Sequence, residues 1–173
     1  MKVEMTDVQS IENWIEEQQV QIDLTAFESR LGKFCITGKA PFTLHLENQE
    51  NKQVLISGET DVTVAVPCDR CLEEVPVSLH LVIHRLFPLA EAEEGEEAAD
   101  TGCLTGSSLD VDRLIYDEIL VNWPMKVLCR EDCKGICKKC GVNLNRKTCL
   151  CDRTEPDPRM AAIQDIFNQF KEV

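Results

Sequence analysis

The sequence predicts an α+β protein: an antiparallel β-sheet or partly open barrel with flanking helices, followed by a small C-terminal cysteine-rich module resembling a zinc knuckle. Three observations carry this prediction. Apolar and polar residues alternate over 42–46, 62–66 and 75–83, the period of half-buried strands. Apolar residues recur at helical spacing near both ends and again after position 108. Six of the ten cysteines fall between Cys129 and Cys151. Three regions follow: a β-rich domain with an N-terminal helix over 1–90, an acidic flexible linker over 91–107, and a unit over 108–173. That last unit holds a helix, the metal module and a C-terminal helix packing on the same core.

Val8, Ile11, Trp14 and Ile15 stand at helical spacing with Ser10 available as a cap, which predicts a first helix. Residues 19–24 then alternate as a short strand would. Phe42, Leu44 and Leu46 alternate with Thr43, His45 and Glu47, and the polar run Asn48-Gln49-Glu50-Asn51 separates them from Val54-Leu55-Ile56, which predicts a hairpin. After Gly58, Val62, Val64 and Val66 make a further strand. Beyond Cys68 and Cys71, Val75, Val77, Leu79, Leu81 and Ile83 make another.

Glu91, Glu93, Glu94, Glu96, Glu97 and Asp100 follow with no basic residue among them, and self-repulsion favours a solvated linker. Ser108 or Asp110 can cap a helix carrying Val111, Leu114, Ile115, Ile119 and Leu120. It should end near Asn122, because Pro124 disfavours helix in the residue before it. At the end of the chain, Asp157 can cap a helix with Pro158 at its first position and Ile163, Ile166, Phe167 and Phe170 along one face.

The cysteines carry the chemistry. The chain opens on a polar, acidic stretch without the apolar run of a secretory signal, and no segment approaches the ~20 apolar residues of a membrane span. A soluble cytoplasmic protein is therefore expected, in which a dense thiol cluster coordinates metal rather than forming disulfides. Cys137-Lys138-Lys139-Cys140-Gly141 has the two-residue spacing that lets sulfurs converge, with a glycine free to adopt a left-handed turn. Cys149-Leu150-Cys151 presents two sulfurs on one face of an extended segment. The expected ligands are thus Cys137, Cys140, Cys149 and Cys151 around a structural Zn²⁺, with no open position for catalysis. Cys129 and Cys133 can replace one of the later pair, join a second site, or be ordinary buried thiols.

Cys68-Asp69-Arg70-Cys71 also has metal or redox spacing. A thioredoxin-like role needs a helix N-terminus to lower a thiol pKa, whereas a strand pattern follows here. The pair can cap a strand end, bind metal with two other cysteines, or serve a contact. A finger completed by His80 and His84 fails on distance, since on a strand they would stand ~13 Å apart. No phosphate loop, nucleophile elbow or metalloprotease motif is present, so a non-enzyme without a small-molecule substrate is expected.

Charge narrows the partners. A net −13 argues against coating nucleic acid over the whole surface, yet residues 126–153 hold eight basic against three acidic side chains. Those cations can compensate thiolate charge at a metal site. Equally, Lys134, Lys138, Lys139, Arg146 and Lys147 can form a phosphate-contacting face.

Several stretches together resemble the YceD family, the large ribosomal RNA subunit accumulation proteins. They are Cys68-Asp69-Arg70-Cys71-Leu72, residues 109–124, Cys133-Lys134-Gly135-Ile136-Cys137-Lys138-Lys139-Cys140-Gly141-Val142-Asn143-Leu144-Asn145 with Cys149-Leu150-Cys151, and Asp157-Pro158-Arg159. The likeness runs from about residue 40 to the C-terminus. It implies a bacterial cytoplasmic, non-enzymatic factor supporting accumulation of large-subunit ribosomal RNA, with ribosomal RNA or ribosomal and processing proteins as partners and metal as a local stabiliser. Two other readings stand beside it: a protein-interaction adaptor with structural zinc and no RNA contact, and a thiol redox protein using Cys68 and Cys71.

Overall fold

The computed structural model describes residues 1–89 and 102–151, with residues 163, 166 and 167. Its elements are β1 (Lys2–Glu4), α1 (Thr6–Ser10), β2 (Ile15–Val20), β3 (Ala26–Ser29), β4 (Gly32–Lys39), β5 (Phe42–Gln49), β6 (Gln53–Pro67), β7 (Glu74–Pro88), β8 (Leu104–Thr105), β9 (Ser108–Asp110) and α2 (Val111–Val121). The α+β class holds: an open antiparallel sheet with helices and a terminal cysteine-rich segment.

β6 organises the larger sheet. It pairs with β7 along its whole length, from Gln53↔Pro88 to Pro67↔Glu74. Its other edge is shared, with β5 against residues 53–58 and β4 against residues 62–64. β2 extends the sheet beyond β5, and β3 beyond β4. Two short strands were expected where β6 runs unbroken through Gly58. Gly58 reads locally as a break, but a Cβ there would meet the Thr43 carbonyl oxygen at 2.9 Å. The glycine lets β5 approach closely rather than ending the strand. The expected polar turn after β5 is tight: Glu50 and Asn51 take φ of 55° and 54°, and Lys52 N–H donates to Gln49 O at 3.0 Å. This is the handedness that matches strand twist.

The N-terminal helix is corrected. α1 ends at Ser10, Asn13 takes φ 57°, and Ile15 begins β2. Of the apolar residues placed on one helix face, only Val8 is buried, while Ile11, Trp14 and Ile15 are exposed. Ser10 caps nothing; its hydroxyl donates back to Thr6 O at 2.7 Å. Asn48, expected in the polar turn, is instead buried near the end of β5 and fixes this region by donating to Val8 O at 2.7 Å and accepting from Asn51 N–H at 2.9 Å.

The acidic run over 91–100 lies outside the described residues. The expected linker nevertheless extends too far at its C-terminal side: Cys103 is buried, and β8 and β9 form a hairpin across Gly106 that pairs with β1. Asp110 caps α2 as expected, accepting from Asp112 N–H at 3.1 Å and Arg113 N–H at 3.2 Å. The Asp110→Ala variant should lose about 1 kcal/mol of stability in urea unfolding. Val111, Leu114, Ile115 and Ile119 face the core formed with the inward rows of β5, β6 and β7, and Leu120 is exposed instead. The buried Glu118 accepts from Arg85 Nε of β7 at 2.8 Å, tying helix to sheet. Asp157, Pro158 and Phe170 of the expected last helix lie outside the described residues; Ile163, Ile166 and Phe167 are helical and exposed.

Candidate metal centres and the cationic segment

Two groups of four cysteine sulfurs converge. Cys137, Cys140, Cys149 and Cys151 form an outer group, and Cys68, Cys71, Cys129 and Cys133 an inner one. Within each group the sulfurs lie within 4.8 Å of one another. Four thiolates around Zn²⁺, each with a bond of about 2.3 Å, would stand about 3.8 Å apart at the edges of a tetrahedron. Either donor set fits a metal ion.

The outer group is a local construction. Gly141, at φ 72°, lets its N–H return to Cys137 O at 2.8 Å, closing a knuckle over the first pair. Cys137 N–H donates to Val142 O at 2.8 Å, and Leu144 N–H to Gly135 O at 2.9 Å, so the knuckle continues into a short antiparallel bridge between Ile136 and Asn143. The chain then turns around Asn143, whose carbonyl accepts from Arg146 and Lys147 N–H, and returns through Cys149 and Cys151. Leu150 is fully exposed between those half-buried cysteines, as expected for an extended segment with both sulfurs on one side.

The inner group answers what Cys68, Cys71, Cys129 and Cys133 do: they meet each other. Cys68 and Cys71 sit in the turn between β6 and β7 rather than at a helix N-terminus, which removes the geometry of a thioredoxin-like motif. Cys71 Sγ lies 3.5 Å from Cys129 Sγ, and Cys68 Sγ 3.8 Å from Cys133 Sγ, across 58 and 65 residues of chain. Ordinary sequence spacing gives no hint of that pairing. His80 is on the solvent face, 3.0 Å from Asp61, and His45 and His84 are exposed, away from both groups.

The thiol pKa values are pushed in opposite directions within each group. Burial opposes the Cys68 thiolate, but backbone hydrogen bonds at Arg70, Cys129 and Cys71 bring its pKa down to about 6. A backbone hydrogen bond at Glu73 favours the Cys71 thiolate, yet burial and the sulfurs of Cys129, Cys68 and Cys133 push it up to about 12. In the outer group, backbone hydrogen bonds at Cys140 and Lys139 lower Cys137 to about 6. Hydrogen bonding to Cys140 and burial raise Cys151 to about 12. Thiols this close resist ionising together unless a cation compensates their charge, and a divalent ion does so directly.

Lys134, Lys138, Lys139, Arg146 and Lys147 are all exposed on the segment carrying the outer group. Arg146 is engaged, its Nη2 pairing with Glu73 Oε1 at 2.5 Å. Among the described residues, no helix is long and apolar enough to cross a membrane.

A family model described as large ribosomal RNA subunit accumulation protein YceD matches residues 56–167. An uncharacterised protein of Mycobacterium leprae is 28% identical over 108 residues, covering 61% of this chain and 50% of the relative. One of Mycobacterium tuberculosis is 30% identical over 93 residues, covering 53% and 45%. The chain spans about half the length of these mycobacterial relatives. A chloroplastic large ribosomal RNA subunit accumulation protein homolog of Arabidopsis thaliana is 31% identical over 64 residues, covering 37% of this chain and 20% of the relative. No solved structure matches.

Proposed function

Because the chain belongs to the YceD family of large ribosomal RNA subunit accumulation proteins, we propose that it is a non-enzymatic factor of the bacterial cytoplasm that supports large-subunit ribosomal RNA accumulation or ribosome assembly. It meets ribosomal RNA, or a ribosomal or processing protein still bound to it, through the cationic segment. The outer group holds a structural Zn²⁺: an all-thiolate set of four suits zinc and leaves no position for water or substrate.

The observation that carries this reading is the placement of charge. In a chain of net −13, the side chains of Lys134, Lys138, Lys139 and Lys147 stand exposed around a knuckle whose backbone is held by its own short hydrogen bonds. Phosphates are repelled by the acidic body and accepted at this surface, so the RNA is held by a local contact rather than wrapped.

The test is binding to large-subunit ribosomal RNA over a range of salt concentrations. Log affinity should fall linearly with log salt, and each lysine removed should reduce the slope by about one unit. Absence of binding at every salt concentration removes direct RNA contact. A pull-down with and without nuclease then separates an RNA-mediated association from the alternative, an adaptor whose acidic surface meets basic ribosomal proteins.

A further inference from the structure

We propose that Cys68, Cys71, Cys129 and Cys133 are a second zinc site, so that each chain takes two ions, and that the inner ion clasps the cationic segment to the β6–β7 turn. The proposal stands on geometry and does not depend on the partner being ribosomal RNA.

The first support is the backbone. The inner Cys68-Asp69-Arg70-Cys71-Leu72 and the outer Cys137-Lys138-Lys139-Cys140-Gly141 close in the same way. Leu72 N–H returns to Cys68 O at 2.9 Å, and Gly141 N–H to Cys137 O at 2.8 Å. Leu72 and Gly141 take φ of 62° and 72°. Glycine occupies that conformation freely, whereas leucine is strained in it. The Leu72 side chain is 64% exposed, so its burial repays little of the strain. Holding a metal knuckle at the strand end gives the conformation a use.

The second support is the environment. Buried free thiols serve as small hydrophobes, and such filler would be packed among other apolar side chains. Here Cys68, Cys71 and Cys133 make a buried cluster apart from the main core, and among the described residues the partly buried apolar side chains packed against it are Val75, Leu128 and Cys129. Two sulfur pairs, 3.5 and 3.8 Å apart, match the edge of a zinc tetrathiolate and are too far apart for a disulfide. Asn145 Nδ2 donates to Cys133 Sγ at 3.3 Å, an outer contact of the kind that orients a thiolate ligand. Glu73 Oε2 lies 3.6 Å from Cys71 Sγ, and its other oxygen is neutralised by Arg146.

The third support is what the site joins. Asp69 N–H donates to Val127 O at 2.9 Å, and Val127 N–H to Asp69 Oδ2 at 2.8 Å. Arg70 Nη1 donates to Cys133 O at 2.9 Å, while Arg70 O accepts from Ile136 N–H at 3.0 Å. At Gly135, φ 74°, a Cβ would fall 2.9 Å from that same Arg70 oxygen. Two chain segments are thus drawn together around the four sulfurs, and the residues between Cys133 and Cys137 lead directly to the outer knuckle.

Native mass spectrometry of the full chain, purified without chelator, should count two zinc ions. Cadmium exchange should give two ¹¹³Cd resonances in the all-thiolate range. Cys71→Ser and Cys140→Ser should each lower the count to one. Only Cys71→Ser should open Lys126 and Arg130 to trypsin. A wild-type count of one or none overturns the proposal, as does a Cys71→Ser protein that keeps two ions, or mass evidence for disulfides among the inner four. If Cys71→Ser fails to fold, the wild-type ion count and cadmium spectrum decide alone.

Discussion

Chelating metal from the folded chain is expected to release residues 126–151 to trypsin while the sheet keeps its far-ultraviolet signature. The segment holds seven lysines and arginines, all exposed. Trypsin is therefore limited by backbone order rather than by access to side chains. Order in this segment owes little to burial: of its apolar side chains apart from cysteine, only Val127 is fully buried, and Leu128, Val142 and Leu144 are half-buried. Structural zinc contributes an apparent ~10–16 kcal/mol at neutral pH in small metal-folded units, as large as the ~5–15 kcal/mol that stabilises a whole domain. Without the ion, nothing compensates the crowded sulfurs and the knuckles lose their anchor. The sheet core contains none of the eight ligands and should survive. Peptides mapped by mass should end at Lys126, Arg130, Lys134, Lys138, Lys139, Arg146 and Lys147, with re-added Zn²⁺ restoring protection.

Phe27→Ala should cost about 3–5 kcal/mol, the range for emptying a large buried aromatic position. Phe27 is wholly buried on the edge strand β3, yet its ring meets three other aromatics. Trp123 stacks on it at 4.9 Å, Tyr116 lies at 5.0 Å and Phe34 at 6.4 Å between centroids. Trp123 also contacts Phe34 at 4.8 Å. These rings bring the β3–β4 hairpin against α2 and the residue just beyond its cap, immediately upstream of the cysteine segment. Tyr116 adds a hydrogen bond from its hydroxyl to Glu28 O at 2.7 Å. Loss of so large a share of a domain's stability should show as a marked fall in the urea midpoint with an unchanged slope. Tryptophan fluorescence should change with it, since one of the two tryptophans lies in the cluster.

Local features were readable where one residue pattern has one physical outcome. The alternation along β5 and β7, the Asp110 cap and the outer CxxC knuckle each follow from side-chain period or turn chemistry within a few residues. Features decided by distant partners were not. Gly58 carries a local signal for a break, and only the approach of β5 reveals it as mid-strand. Ile11, Trp14 and Ile15 fit a helix face, but pairing of β2 with β5 from Ile15↔Glu47 onward draws the chain into an extended form after Asn13. For the inner cysteines, two recognisable spacings were visible, while their union depends on the turn between β6 and β7 lying over the segment after α2. Leu72 offered no glycine to mark its left-handed conformation.

On the proposed reading, a cationic surface held by cysteine ligands on an acidic body connects this chain to large-subunit ribosomal RNA. The most direct measurement is the ratio of large- to small-subunit ribosomal RNA in cells whose own copy is replaced by the Lys134→Gln, Lys147→Gln double variant at equal abundance. Both positions are exposed and neither is a candidate ligand, so the variant should keep its metal and fold. The ratio should fall to the level of cells lacking the protein. A ratio equal to that of the wild type would contradict the proposed reading.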